Sequence, residues 1–421
     1  MPSRRAFLAL TAATGVAGCL TDGDRNPEGD GTGSPNATDD SGASTDGAEA
    51  YADADHVAWT RSLPGTVVNP PTPTGDSLYV GTDAGTLSAL SPSDGHRQWT
   101  YDAGREVQDS AVGGGTVLAV AGGDGLNSAQ RLHAVDAGTG KKRWDFSPTD
   151  WWLDVLAVTD DTAYVATTDD HVQSSGETLY ALGLSDGSRK WAVEIGDPSG
   201  GLVTDERVYV PAYGVLDVFG TDGTRAWAYS VPEYQYRTLS VVGDTVALVS
   251  AADPREPTVH GIDAATGEQA WTFDEWNAYT TQAVGDQLLV GGDSVASLDP
   301  ATGEVEWRVD VSATVYDAPV ADGTLYVVGN EAAAVSLSAG NVQWRTPVDA
   351  YLARPSGLLD GQLVIQRSKS EDDRDRHVLA LDGDTGETAW SFAAESRLTR
   401  LVVGDSLAFA GEDGTVIGVT P

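Results

Sequence analysis

A chain of 421 residues with one cysteine, Cys19, cannot build a disulfide framework, a zinc cluster or a haem-attachment motif. Cations are scarce too. Lysine occurs only at Lys141, Lys142, Lys190 and Lys369, and 25 Lys plus Arg stand against 63 Asp plus Glu, a formal charge of -38. So negative a surface repels nucleic acid, which argues against DNA or RNA binding. No segment sustains a helical period, and no apolar run reaches the ~20 residues that span a bilayer. A Gly-x-Ser-x-Gly elbow and a phosphate-binding loop are also missing. The six histidines (His56, His96, His133, His171, His260, His377) show no metal-type spacing. The acidic stretch 371–375 reads as a solvated loop rather than a Ca²⁺ site. Neither a catalytic constellation nor a resident metal is expected.

What is present begins with acid. Self-repulsion at -38 works against a compact fold in dilute buffer. In brine the Debye length falls to about 3 Å at 1 M salt, and carboxylates keep the surface hydrated. Acid excess with scarce lysine resembles the proteins of salt-loving archaea. Hydrophobic residues still make up 40% of the chain, enough for a core.

The lone cysteine has a context. "MPSRRAFLALTAATGVAGC" places Arg4 and Arg5 before Phe7-Leu8 and an apolar run of about a dozen residues, the length of a signal-peptide core. The pair resembles a twin-arginine export signal, and "VAGC" resembles a lipobox in which Cys19 becomes the lipid-modified first residue. These readings make residues 1–18 a signal peptide and 19–54 an acidic, disordered linker carrying the anchor, with Asn36 in a possible glycosylation sequon. Residues 55–421 remain as the folded part. The implied location is the external face of the cell membrane.

From residue 57 onward one unit recurs: an apolar strand, a Gly/Asp turn, a β-rich strand, a variable loop, a third strand, a tight turn and a Trp strand. Gly and Trp stand four apart eight times, at Gly95/Trp99, Gly140/Trp144, Gly187/Trp191, Gly223/Trp227, Gly267/Trp271, Gly303/Trp307, Gly340/Trp344 and Gly386/Trp390. Successive Trp residues lie 36 to 47 positions apart, the spacing of a four-stranded propeller blade. The ends fit each other. "HVAWTRS" (56–62) supplies a Trp strand with nothing before it, and residues 400–421 supply three strands without a Trp. Joined, they close a ring and leave no raw seam. The prediction is an all-β propeller of four-stranded antiparallel blades, nine by count. Eight is the alternative, the group at 200–230 being the weakest. Trp59 and the eight paired tryptophans belong to its scaffold, each ring wedged between adjacent blades.

"ALDGDTGETAW" (380–390), "SLDPATGEVEW" (297–307) and "AVDAGTGKKRW" (134–144) resemble the pyrroloquinoline-quinone (PQQ) repeat, Ala-x-Asp-x-x-Thr-Gly-x-x-x-Trp. The resemblance extends over nearly all of 57–421. It is shared by the BamB-like outer-membrane assembly lipoproteins, in which the propeller is a docking platform, and by the quinoprotein dehydrogenases. The dehydrogenases add a pair of adjacent cysteines over the quinone, which one cysteine cannot supply. The resemblance therefore implies a protein-binding or scaffold lipoprotein, monomeric and without cofactor. PQQ with Ca²⁺ in an alcohol or sugar oxidoreductase is the alternative, and glycan binding a third.

Irregularity is confined to one face. Long insertions at 122–130, 167–177, 251–257 and 367–377 all join second to third strands. The three tryptophans outside the scaffold, Trp151, Trp152 and Trp276, fall in blade-to-blade connections, which open on that same face. Tyr234, Tyr236, Tyr279, Tyr316 and Tyr351 accompany them, with Arg237 and Arg354 nearby. Aromatics with arginine compose interaction hot spots, so these ten residues are the candidate binding surface.

Overall fold

The structure, a computed structural model, describes residues 56–420 apart from 68–71, 123–129, 149–151, 169–175, 213, 232–234, 252–255, 316, 371–375, 395, 400–401 and 404–405. The signal peptide, Cys19, Asn36 and the linker thus lie outside the described residues, as do Trp151, Tyr234 and Tyr316. Among the described residues every regular element is a strand. Among the described residues the strands form nine antiparallel blades: 72–102, 107–146, 152–195, 202–230, 235–273, 278–309, 313–347, 352–393, and finally 398–419 joined by Val57–Ser62, each of four strands except that the first strand is broken in two in blade 7 (Ala313–Thr314, Val320–Ala321) and blade 9 (Leu398–Thr399, Val402–Val403). The group at 200–230 is a full blade, its first strand reduced to Leu202–Val203. Blades 6 and 7 are welded through Ala313, which bridges Gly292 and Gly329. A Cβ on Gly292 would sit 1.7 Å from the Asn277 carbonyl and one on Gly329 2.0 Å from that of Ser312, so only glycine admits this approach.

Burial explains the sequence pattern. Second and third strands are sandwiched between neighbouring blades, and Thr116–Ala121 and Thr245–Ala251 are buried at every position. They read as near-continuous runs of Val, Ala and Leu. Fourth strands form the circumference and alternate, as in Gln269–Phe273, where Trp271 and Phe273 turn inward. First strands of adjacent blades pack together, Val107–Gly113 on Trp152–Val158 for example, and so line the centre. Among the described residues the core divides into nine clusters, each shared by two neighbouring blades. Nine interfaces for nine blades is the signature of a closed ring.

The seam is where the sequence places it. Val57–Ser62 pairs antiparallel with Thr415–Val419, with Val57 opposite Val419 and Ser62 opposite Thr415. Leu63, Leu78, Val80, Ala408 and Val416 then form one cluster across blades 9 and 1.

The Gly-x-x-x-Trp spacing has a mechanical cause. All eight glycines have φ between 64° and 84°, and each faces the tryptophan of the preceding blade. The indole N–H then donates to a carbonyl of that same turn: Trp99 to Ala137 (2.9 Å), Trp227 to Ala264 (2.9 Å), Trp344 to Gly383 (2.7 Å). Trp144 donates likewise to Leu184 (2.9 Å), Trp191 to Thr221 (2.8 Å) and Trp307 to Leu337 (2.8 Å). Their depth is uneven, which the uniform spacing does not foretell. Trp144 and Trp307 are buried, whereas Trp191 is only half-buried, tilted against Tyr164 at 5.8 Å. The turn that covers Trp191 closes from the Gly220 amide to the Thr224 carbonyl, one residue shorter than the turn from Asp263 to Glu268.

Asp fixes the commoner turn from within. Asp263 Oδ1 accepts from the Thr266 amide (2.7 Å) and hydroxyl (2.8 Å), and Asp382 does the same with Thr385 (both 2.8 Å). The Asp-x-x-Thr-Gly motif is thus a clamp that presents a bare glycine to an indole. Gly267→Ala would put a methyl 2.6 Å from the Trp227 ring at φ 76°. It should cost about 2–4 kcal/mol in urea unfolding in molar KCl. Gly75→Ala, which meets nothing within 4 Å, should change little.

Candidate binding face and channel wall

Register fixes which residues share the insertion face. Trp152 opens the first strand of blade 3 and pairs with Thr168, the last residue of the second strand, at the root of the 167–177 insertion. Leu352 opens the first strand of blade 8 and pairs with Ser368, whose carbonyl also accepts the Tyr351 amide at 2.8 Å. Here the large apolar side chains stay out in solvent: Trp152 is 40% exposed, Tyr351 66% and Leu352 41%. Arg354, two residues further along, is exposed as well.

Other candidates are used differently. Trp276 lies edge-on to Phe273 (ring centroids 4.6 Å), while the Arg308 guanidinium covers its ring at 4.3 Å. It packs against the blade 5–6 cluster. Its ring is thus engaged by Phe273 and Arg308, while its indole N–H is buried without a hydrogen-bond partner among the described residues. Tyr279 is half-buried on the first strand of blade 6. Tyr236 and Arg237 lie on Gln235–Val242, the first strand of blade 5, and their side chains are outside the described residues. The scaffold tryptophans add nothing to this face. Trp144 belongs to the blade 2–3 cluster, Trp191 packs on the blade 3–4 cluster and Trp307 lies in the blade 6–7 cluster. Each spends its indole N–H on a turn, so none has a donor left for a ligand.

Two carboxylates on the channel wall escaped the sequence reading. Asp109 and Asp154 occupy the third position of the first strands of blades 2 and 3. Burial, followed by the neighbouring Asp154 charge, pushes the Asp109 carboxyl up to about 7, against one opposing hydrogen bond from the Ser110 amide (2.8 Å). Burial raises Asp154 too. The sequence signal is positional only, an acid third in each of two inner strands, one of which also holds Gln108 and Ser110.

Three histidines among the described residues lie on third strands. His133 and His260 lie buried on third strands, each met by a tyrosine from the preceding blade: Tyr101 Oη–His133 Nδ1 2.9 Å and Tyr229 Oη–His260 Nδ1 3.1 Å. Burial lowers His133, and the nearby Lys142 charge adds to it. His377 is half-buried on its own third strand. Among the described residues no group of three His, Cys, Asp or Glu side chains could hold a metal.

Comparison with known proteins decides the family. The profile described as outer membrane protein assembly factor BamB matches at 26–145, 105–253, 175–294, 255–347 and 291–421, which together cover the propeller. The chain belongs to the BamB family. It is similar to the outer membrane protein assembly factor BamB of Shewanella oneidensis, 24% identical over 276 residues, or 60% of this chain. The match spans 66% of that relative's length, just under two thirds. The crystal structure of BamB from Moraxella catarrhalis superposes with a TM-score of 0.51 at 16% identity, over 86% of this chain and 98% of that one. The computationally designed Ika8 protein gives 0.52 at 13% identity, over 87% and 100%. At these identities the superpositions establish the propeller fold.

Proposed function

We propose that this BamB-family propeller is an exported lipoprotein, anchored through Cys19 to the outer face of the cell membrane. There it binds a protein partner through its insertion face and catalyses no reaction. The observation that carries the reading is the set of exposed Trp152, Tyr351 and Leu352 beside the roots of two long insertions. Large apolar side chains held in water on rigid strand ends are the anchors of protein interfaces. The relatives' name, an assembly factor, agrees with a docking role.

The test is capture from native membranes in molar salt. W152A/Y351A/L352A should lose the partner by at least about tenfold, the effect of removing one or two hot-spot residues. Its melting temperature should match the parent's. A triple variant that still captures the partner sinks the reading. Titration of the same protein with PQQ and Ca²⁺ should give additive absorbance and no dye reduction. Stoichiometric uptake with dye turnover would instead establish the oxidoreductase.

A further inference from the structure

The blade 3 side of the channel mouth carries a negative charge that no cation of the described chain answers. Trp152, Leu153, Asp154 and Val155 follow one another on the first strand without a shift of register. Leu153 and Val155 pack into the blade 2–3 cluster, so Trp152 and Asp154 share the strand's other face. The Trp152 indole forms the lip, 40% exposed, and Asp154 stands about 7 Å further in. Burial alone raises the Asp154 carboxyl, which has no hydrogen bond or ion pair among the described residues. Asp109 adds a second negative charge from the neighbouring first strand. No lysine, arginine or histidine acts on either carboxyl. Asp197, in the connection to blade 4, makes this edge of the face more acidic still.

The facing wall has little side chain. Gly196, Gly200 and Gly201 all fall in that connection. A Cβ on Gly201 would come within 3.0 Å of Leu156, which sets the level of the two walls, whereas one on Gly200 would meet nothing within 4 Å. Room for a flat group therefore remains beside Asp154.

An enclosed carboxyl without a partner works against folding, and chains retain such groups where a ligand offsets them. The ligand here must be cationic, reach past the rim and accept an indole along its length. In brine a bare charge pair is screened over about 3 Å, which leaves much of the recognition to the ring. A guanidinium meets all three demands: it is planar, weakly hydrated, stacks on indole and donates to a carboxylate. The opposite lip turns the same group away. Blade 8 lies five blades on in the ring of nine, and there Leu352 and Arg354 hold the same first and third positions, both exposed.

We propose that Trp152 and Asp154 form a guanidinium site, which receives an arginine side chain projecting from the protein partner into the channel mouth. The source of the arginine rests on the docking role above; the chemistry of the site does not.

The site is tested by titrating the purified full chain with acetyl-Gly-Arg-Gly-amide in molar KCl at pH 8, followed by NMR of the peptide. Saturable binding is expected, with the lysine peptide weaker and the glutamate peptide not bound. D154N keeps the shape and removes a buried charge, so it should fold and bind at least about tenfold more weakly. W152A should lose severalfold. E275Q, which removes an exposed carboxylate elsewhere on the face, should bind like the parent. No saturable binding, equal binding of the glutamate peptide, or D154N and E275Q behaving alike overturns the site. In the membrane capture D154N should also weaken the partner severalfold. Capture lost in W152A/Y351A/L352A but kept in D154N overturns this proposal alone, and capture kept in both overturns the docking role with it.

Discussion

Asp109→Asn is expected to stabilise the propeller at pH 8 and to leave it unchanged at pH 4. The Asp109 carboxyl is raised from the usual 3.8 to about 7, by burial first and then by the Asp154 charge. A folded-state value above the unfolded one means that the native chain holds the proton more tightly. The contribution of this one group is therefore most favourable below about pH 4 and turns into a penalty as pH rises toward 7. Above that a constant penalty remains. Three units amount to about 4 kcal/mol. Asparagine keeps the size and the acceptor for the Ser110 amide while removing the charge. Thermal melts of D109N and the parent across pH 4 to 8 in molar KCl check this. A gain that does not change with pH, or a loss at pH 8, would refute the burial argument.

The same pair shows where sequence reading stops. The blades were legible because their cause is local: a positive φ, an indole four residues on, and an Asp–Thr clamp between them. Closure was legible because a Trp strand without a blade and a blade without a Trp strand complement each other. Desolvation is not local. Asp109 and Asp154 look like any of 63 acids until two inner strands bring them together at the narrow centre. The same holds for the indoles: Trp144, Trp191 and Trp307 share one spacing, yet Trp191 alone of the three stays half-buried. Trp276 shows the same limit: its place in a connection puts it on the insertion face, while its packing against Phe273 and beneath Arg308 depends on residues from neighbouring strands. Trp152, Tyr351 and Arg354 stand where the sequence puts them and are exposed. The welding of blades 6 and 7 depends on Gly292 and Gly329 meeting the same bridge, which no pattern in either segment discloses.

Trp59→Ala should destabilise the protein as much as Trp271→Ala, although one residue lies in the first strand and the other in mid-chain. A terminal strand that merely lies on a finished sheet would fray, and its loss would be nearly silent. Here Val57–Ser62 is the fourth strand of blade 9. The Trp59 ring rests on Gly95 and its indole N–H donates to the Pro92 carbonyl at 2.8 Å, while the Leu63 amide donates to Gly414 at 2.9 Å. Trp271 makes the equivalent contacts with Gly303 and Pro300. Each indole removed from such a seat should cost about 3–5 kcal/mol. One feature of the seam is singular: Trp390 donates to Gln362 Oε1 within its own blade (2.7 Å), because the turn it would otherwise reach is replaced by the chain's arrival at His56. The closing blade therefore meets blade 8 without the usual turn and depends all the more on Trp59. Urea unfolding of both variants in molar KCl should give equal losses. A W59A midpoint close to the parent's, with W271A far below it, would mean that the ring holds without its first strand.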